Sequence, residues 1–437
     1  MRKRGGLRVL VAVMCWALLA LGGGAPSMAA GPGVATMSTG SYHTCVVRTD
    51  HTVWCWGFDG YGELGDGTTG DGELMRTSPV QVRRGSSTLK GVTKVAGGAA
   101  FTCAVRTDGT AWCWGLGDLG QLGDGASGTG HHRTRAVEVR RGSGHLTRVE
   151  RVAAGGRHAC ALRTDGSVWC WGSDLHGQLG DATTGDATSH IRTKAVRVRL
   201  GRGYLDDVVT LAAGYSHTCA VRRDGSAWCW GDGSDGQLGD DESGTGHQRT
   251  KPIRVRRGSL FLSRVSGIAA GDRHTCVRRT DGSAWCWGYG EYGQLGDGTT
   301  GDPTSHLRVR PVQVLRGSGV LTGVTGIEAG GYHTCARRSN GSAYCWGHAE
   351  FGQLGDGTTG DGFIAAVTDN VRVTRPSGSF TEARKVDGGA YHMRPADRPD
   401  GVVLGSQRRR PVGPGVHDDD ALTLPRKVPF PEQGAAP

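Results

Sequence analysis

The sequence predicts an all-β protein whose repeated four-stranded units stack radially into a β-propeller, and three observations carry that reading. Glycine supplies 77 of 437 residues, about 18%, which disfavours helix and favours turns. Trp-Gly pairs ending at Gly57, Gly115, Gly172, Gly231, Gly288 and Gly347 recur every 57 to 59 residues. Within each unit short runs rich in Val, Cys and Trp alternate with turn residues, the pattern of strands. Such a unit cannot cover both faces of its own sheet, so units must stack, and radial stacking also protects strand edges. A linear β-solenoid is the alternative arrangement.

Residues 1–30 read as a secretory signal peptide. Arg2, Lys3, Arg4 and Arg8 precede an apolar run of about a dozen residues, and Ser27 and Ala29 form a small-x-small cleavage site. The run is too short to span about 30 Å of hydrocarbon as a helix. An uncleaved N-terminal anchor is the competing reading. Cleavage removes Cys15 and leaves an even set of 12 cysteines on a secreted, extracellular or periplasmic chain without a membrane span. The formal charge of +10 then falls to about +6. Arg recurs at similar positions of each repeat instead of forming a patch, which argues against nucleic acid as a partner.

The unit from Val152 to Gly172 shows the elements in order. His158 to Leu162 and Ser167 to Trp171 are strands, and Arg-Thr-Asp-Gly between them is a turn in which Gly166 supplies the positive φ. A Val-x-x-Val-Ala-Ala-Gly segment precedes the hairpin. The sequence Gly-Gln-Leu-Gly-Asp and a polar loop follow it, before an alternating strand containing Val196 and Val198, with Arg on its outward positions. That makes four strands. Trp54 and Trp56, like their counterparts, share one sheet face and offer it to a neighbouring unit.

Cysteines pair by position: Cys45 with Cys55, Cys103 with Cys113, Cys160 with Cys170, Cys219 with Cys229, Cys276 with Cys286 and Cys335 with Cys345. A three-residue hairpin loop with Gly166 in the left-handed position sets Arg163 opposite Ser167 and hence Cys160 opposite Cys170. Directly opposed Cβ atoms are close enough for a disulfide within each hairpin. Buried free thiols are the alternative. Zinc fits poorly, because a closed site needs four ligands and usually a shorter Cys spacing.

The combination G-x-x-H-T-C-A-x-R-x-D-G-x-x-W-C-W-G followed by G-Q-L-G-D-G resembles the regulator of chromosome condensation repeat, over about residues 36–392. The resemblance implies a seven-bladed β-propeller of four-stranded blades. Its best-known member is a nuclear guanine-nucleotide exchange factor for a small GTPase, a role that the signal peptide and paired cysteines oppose. The W-C-W strands look closer to secreted bacterial relatives, and a bacterial β-lactamase inhibitory protein shares the fold. The seventh unit begins normally at Lys385 to His392 and then breaks down, so the seventh blade is expected to be truncated or incomplete. Residues 393–437 read as an irregular C-terminal tail, and one base of frame change would restore the expected hairpin after His392. A native docking or tethering tail is the alternative.

For function, identity between copies marks what the fold needs, whereas variable exposed positions mark where a partner binds. His43, His158, His217, His274, His333 and His392 therefore read as structural, as do Asp66, Asp124, Asp181, Asp240, Asp297 and Asp356. Asp66 to Asp71 and Asp297 to Asp302 could surround calcium, but the EF-hand spacing is absent, and polar turns without metal are the expectation. The partner-binding candidates are Tyr42, Phe101, Arg157, Tyr215, Arg273, Tyr332 and Tyr391, on the connection into each hairpin, where Tyr, Phe and Arg match the composition of hot spots. A second variable set is Tyr61, Leu119, His176, Asp235, Tyr292 and Phe351. There is no phosphate loop, G-x-S-x-G or H-E-x-x-H, so no catalytic residues, cofactor or metal are expected. The expectation is a monomeric binding module that recognises a protein or cell-surface macromolecule through one end of the ring. An enzyme regulator, either exchange factor or inhibitor, and a structural envelope component are the alternatives.

Overall fold

The computed structural model describes residues 33–70, 75–183, 190–301, 306–350 and 352–354, together with the backbone of short strands between 366 and 427. Residues 32–437 form one compact unit, and the signal peptide expected at 1–30 lies outside the described residues. Among the described residues all regular structure is β, in six four-stranded antiparallel sheets and several two-stranded hairpins. Blade 1 comprises Val34–Thr39, His43–Arg48, Val53–Phe58 and Met75–Gln81. Blade 2 comprises Val92–Gly97, Phe101–Arg106, Ala111–Leu116 and His132–Glu138. Blades 3 to 6 repeat the order from Val149, Val208, Val265 and Val324, and the last ends with Ala366–Arg372.

The expectation of seven four-stranded blades is corrected: the molecule is a six-bladed β-propeller. Six units carry the Trp-Gly strand, and a blade needs that strand to seat its fourth. After blade 6 the described backbone forms only two-stranded pairs, Thr374–Arg375 with Gly378–Ser379, Lys385–Gly388 with Met393–Ala396, and Val402–Val403 with Arg426–Lys427. Gly388 pairs with Met393 as Ala329 pairs with Thr334, so the second of these keeps the register of a blade's first two strands.

Each hairpin follows from its turn. Gly166 has φ +77° and its N–H returns to the Arg163 carbonyl, so Cys160 faces Cys170 in a non-hydrogen-bonded pair. All six expected disulfides form, with Cα atoms 4.0 to 4.1 Å apart. Successive side chains of the W-C-W strand serve opposite neighbours. Trp112 and Trp114 of blade 2 pack with Cys45 and Cys55 of blade 1, so the core is a series of blade-to-blade layers of Trp, disulfide, Leu and Val.

Polar contacts close the same junctions. In blade 3 the Gln178 carbonyl of the Gly-Gln-Leu-Gly turn accepts bonds from Trp230 Nε1 and Thr218 Oγ1 of blade 4, both at 2.9 Å. The hydroxyl proton of Thr218 is thereby committed, so His158 Nε2, 2.9 Å from Thr218 Oγ1, must be the donor. The same latch joins His43 to Thr102, His217 to Thr275 and His274 to Thr334. Burial holds these imidazoles neutral, pushing His158 and His274 down to about 3 and His43 and His217 to about 4. Blade 2 departs from the rule at both ends of one latch: Phe101 occupies the histidine position and Ala159 of blade 3 the threonine position, and the two share one apolar cluster.

The first strands surround a narrow axial channel with a cavity of about 70 Å³. Backbones meet so closely there that a Cβ on Gly155 would collide with the Gly214 carbonyl oxygen, and one on Gly214 with the Gly271 carbonyl oxygen. The recurring glycine before each hairpin is therefore set by blade-to-blade approach.

Candidate functional site

In every blade the second strand begins and the third strand ends at the same end of the ring, because they pair antiparallel, as His43 does with Gly57. Both variable sets of positions therefore share one end. Tyr42 lies 6.2 Å from Phe58, which lies 6.4 Å from Tyr61, giving blade 1 a row of three rings. At the junction of blades 5 and 6, Tyr292 packs edge-on against Tyr332 at 5.5 Å and against His348 at 4.9 Å, and Tyr289 touches both tyrosines. Tyr42, Tyr61 and Tyr215 keep 44 to 49% of their surface exposed, enough for a partner to bury.

Of the residues expected to bind, Tyr42, Arg157, Tyr215 and Arg273 are exposed on this end, and Tyr332 is half-buried within the tyrosine cluster. Phe101 is corrected: it is fully buried in the blade 2 to blade 3 core, since it replaces the latch histidine and Ala100 takes the loop position. Tyr391 and Phe351 lie outside the described residues. The sequence reading missed a third variable position, the residue after each Trp-Gly pair, occupied by Phe58, Leu116, Ser173, Asp232, Tyr289 and His348. Its variation between copies was the available signal.

The charges on this end are mostly negative, although the chain carries +10. Asp235, Asp272, Glu291 and Glu350 lie around the tyrosines of blades 5 and 6, with Asp232 beside Asp235. Burial comes first and nearby acids second in raising the tyrosine hydroxyls, Glu291 and Glu350 at Tyr292, Asp272 and Asp235 at Tyr332. Arg273 is the cation among them; its Nη1 lies 3.6 Å from Asp235 Oδ2, and its guanidinium stands over Tyr289 at 5.9 Å.

The recurring aspartates are satisfied within their own blades. Asp66 and Asp297 Oδ1 accept the N–H and hydroxyl of the threonine two residues on, and Arg308 and Arg192 bond the outer oxygens of Asp297 and Asp181. Asp71, Asp302, Asp356 and His392 lie outside the described residues. In blade 4, Asp240, Glu242 and His247 converge, and Arg249 lies within 2.8 Å of both carboxylates and offsets part of their charge. On the outer wall, the hairpin after the fourth strand of blades 1, 2, 4 and 5 lays an arginine over the next blade's first aromatic, as Arg84 does on Trp112 and Arg257 on Trp285, each at 4.6 Å, whereas blade 3 has Leu200 there.

The geometry defines a disulfide-stapled repeat propeller with a variable aromatic end. Comparison with known proteins gives its family. The family model described as RCC1-like domain matches residues 128–435, and that described as regulator of chromosome condensation (RCC1) repeat matches 34–63, 92–121 and 50–105. The chain belongs to this family. It is 32% identical over 334 residues to the ultraviolet-B receptor UVR8 of Arabidopsis thaliana, covering 75% of this chain and 68% of the receptor. It is 31% identical to the human E3 ubiquitin-protein ligase HERC2 over 68% of this chain but only 6% of the ligase. Among solved structures, human WBSCR16 superposes with a TM-score of 0.68 at 22% identity, covering 84% of this chain and 88% of that one. Prp20p of Saccharomyces cerevisiae, whose structure was described with its binding to Gsp1p and histones, gives 0.67 at 23% identity over 86% and 83%. These structural likenesses show the fold. The six disulfides suit an oxidising, extracellular environment, and no helix among the described residues is long and apolar enough to cross a membrane.

Proposed function

We propose that this protein is a secreted binding module that recognises another protein through the tyrosine-rich end of its ring. The observation that carries the reading is the convergence of copy-variable positions into exposed aromatic clusters on one end, while the invariant positions are consumed by the blade junctions. Tyrosine brings large contact area and a hydrogen-bonding tip at small entropic cost, which is why it dominates hot spots. Prp20p, a relative by fold, binds protein partners, which is consistent with the same use of the scaffold here. Secretion is supported by the basic and apolar leader at 1–30 and by the disulfides, and it favours an extracellular partner over a nuclear GTPase.

The test places a photo-crosslinking amino acid at Tyr42 or Tyr292, and for comparison at Phe261 on the outer wall, in protein incubated with medium from the producing cells. A discrete adduct from the end positions, lost when Tyr332 is also changed to Ser, is expected. Adducts from Phe261 alone would refute an end-face interface.

A further inference from the structure

Six residues ring the mouth of the axial channel, one from each blade: Ser41, Ala99, Gly156, Tyr215, Asp272 and Gly331. Four are small, and two break the pattern on adjacent blades. Tyr215 is 45% exposed. The Asp272 backbone N–H donates to the Gly331 carbonyl of blade 6, which sets its side chain beside Tyr332. Among the described residues its carboxylate takes no hydrogen bond and forms no ion pair. The nearest cation, Arg273, is turned toward Asp235 and Tyr289 instead. Burial pushes the Asp272 carboxyl up to about 6, with Arg273 opposing, as expected for a carboxylate that lacks a compensating partner.

A half-buried carboxylate without a partner costs free energy in the free protein, and an arriving cation would offset that cost. The electron-rich face of the neighbouring Tyr332 attracts the same kind of ligand. Asp235, Glu291 and Glu350 add negative charge around the neighbouring Tyr292 and Tyr332 on a molecule of opposite overall sign, which favours a basic ligand on this part of the end. We propose that Asp272, at the channel mouth beside Tyr332, is a subsite for a lysine or arginine side chain presented by the protein partner. The proposal rests on the end-face reading and adds the chemistry of the partner: a loop with a basic residue that points down the ring axis.

The probe is acetyl-Gly-Gly-Lys-Gly-Gly-amide, with arginine and norleucine analogues, titrated into the oxidised protein and followed by chemical-shift changes. Lysine and arginine peptides are expected to bind at the channel mouth. Asp272→Asn should weaken them at least tenfold, and Asp272→Glu should retain binding. No binding to the unaltered protein, equal binding of the norleucine peptide, or unchanged affinity in Asp272→Asn would each overturn the subsite. The two readings separate in the crosslinking assay. An adduct lost in Tyr332→Ser but unchanged in Asp272→Asn keeps the interface and removes the subsite, whereas an adduct indifferent to both removes the interface as well.

Discussion

Blades 2 and 3 perform a natural experiment on the latch that joins all the others, and the experiment can be repeated at the next junction. His158 and Thr218 are both fully buried and linked at 2.9 Å, and the Gln178 carbonyl that accepts the Thr218 hydroxyl also holds Trp230. Thr218→Ala leaves the His158 Nε2–H without an acceptor in a dry site, at a cost of about 1 to 3 kcal/mol. His158→Phe removes the donor but forces a larger ring against the threonine, for roughly 1 to 3 kcal/mol of overpacking. The double substitution rebuilds the Phe101 and Ala159 junction: the lost hydroxyl and methyl make room for the ring, and no buried donor is orphaned. The double variant should then be more stable than the sum of the singles predicts, by about 1 to 3 kcal/mol, measured by equilibrium urea unfolding with disulfides intact. Additivity within about 0.5 kcal/mol would refute the argument that Phe101 and Ala159 compensate for one another.

Two further outcomes follow from buried groups and cross-links. His43, His158, His217, His274 and His333 are lowered by burial to about 3 or 4, so the unfolded chain binds their protons first; their stabilisation is complete above about pH 6.5 and is lost as pH falls toward 4. Glu63, raised to about 8, and Asp174, raised to about 7, both by burial, act in the opposite sense, their contribution fading as pH rises from about 4 through those values. Urea midpoints should therefore peak near pH 6 to 7 and drop steeply below 5, and a midpoint that is flat from pH 7 to 4.5 would contradict the neutral latch. Intact mass of protein recovered from culture medium should show a chain starting near Ala30 that gains twelve alkyl groups only after reduction; free thiols on an uncleaved chain would undo the extracellular assignment.

Much of a single blade is legible in the sequence because it rests on local rules. The Arg-Thr-Asp-Gly turn sets the hairpin register, the register sets Cys160 against Cys170, and the period of two sends Trp and Cys to opposite faces. What escaped depends on the neighbouring blade. The glycine before each hairpin reads as a turn signal, yet its reason is the carbonyl of the next blade. Phe101 reads as a hot-spot residue until it is aligned on Cys103, which puts it two residues before the cysteine, at the histidine position. Arg84 and Arg257 read as outward-facing strand residues, and only radial order shows that they cover Trp112 and Trp285. The number of blades came from the family pattern, whereas the count of Trp-Gly strands, six, is what the molecule builds.

Repetition also explains where the candidate site could arise. A residue that enters the latch is constrained twice, by its own blade and by the next, which is why His158, Thr218, Gln178 and Trp230 have equivalents at nearly every junction. His333 marks what happens when one side of that constraint is lifted. It is buried and neutral like the others, but its Nε2 has no partner among the described residues, and the chain has Met393, which has no hydroxyl, at the place where Thr102, Thr218, Thr275 and Thr334 stand. The loop positions around the channel mouth carry no latch atom. They meet the next blade through the backbone, as Asp272 N–H does with the Gly331 carbonyl, so Tyr215 and Asp272 differ from the small residues of the other blades without breaking a latch, although the Tyr215 ring requires glycine at 156 beneath it.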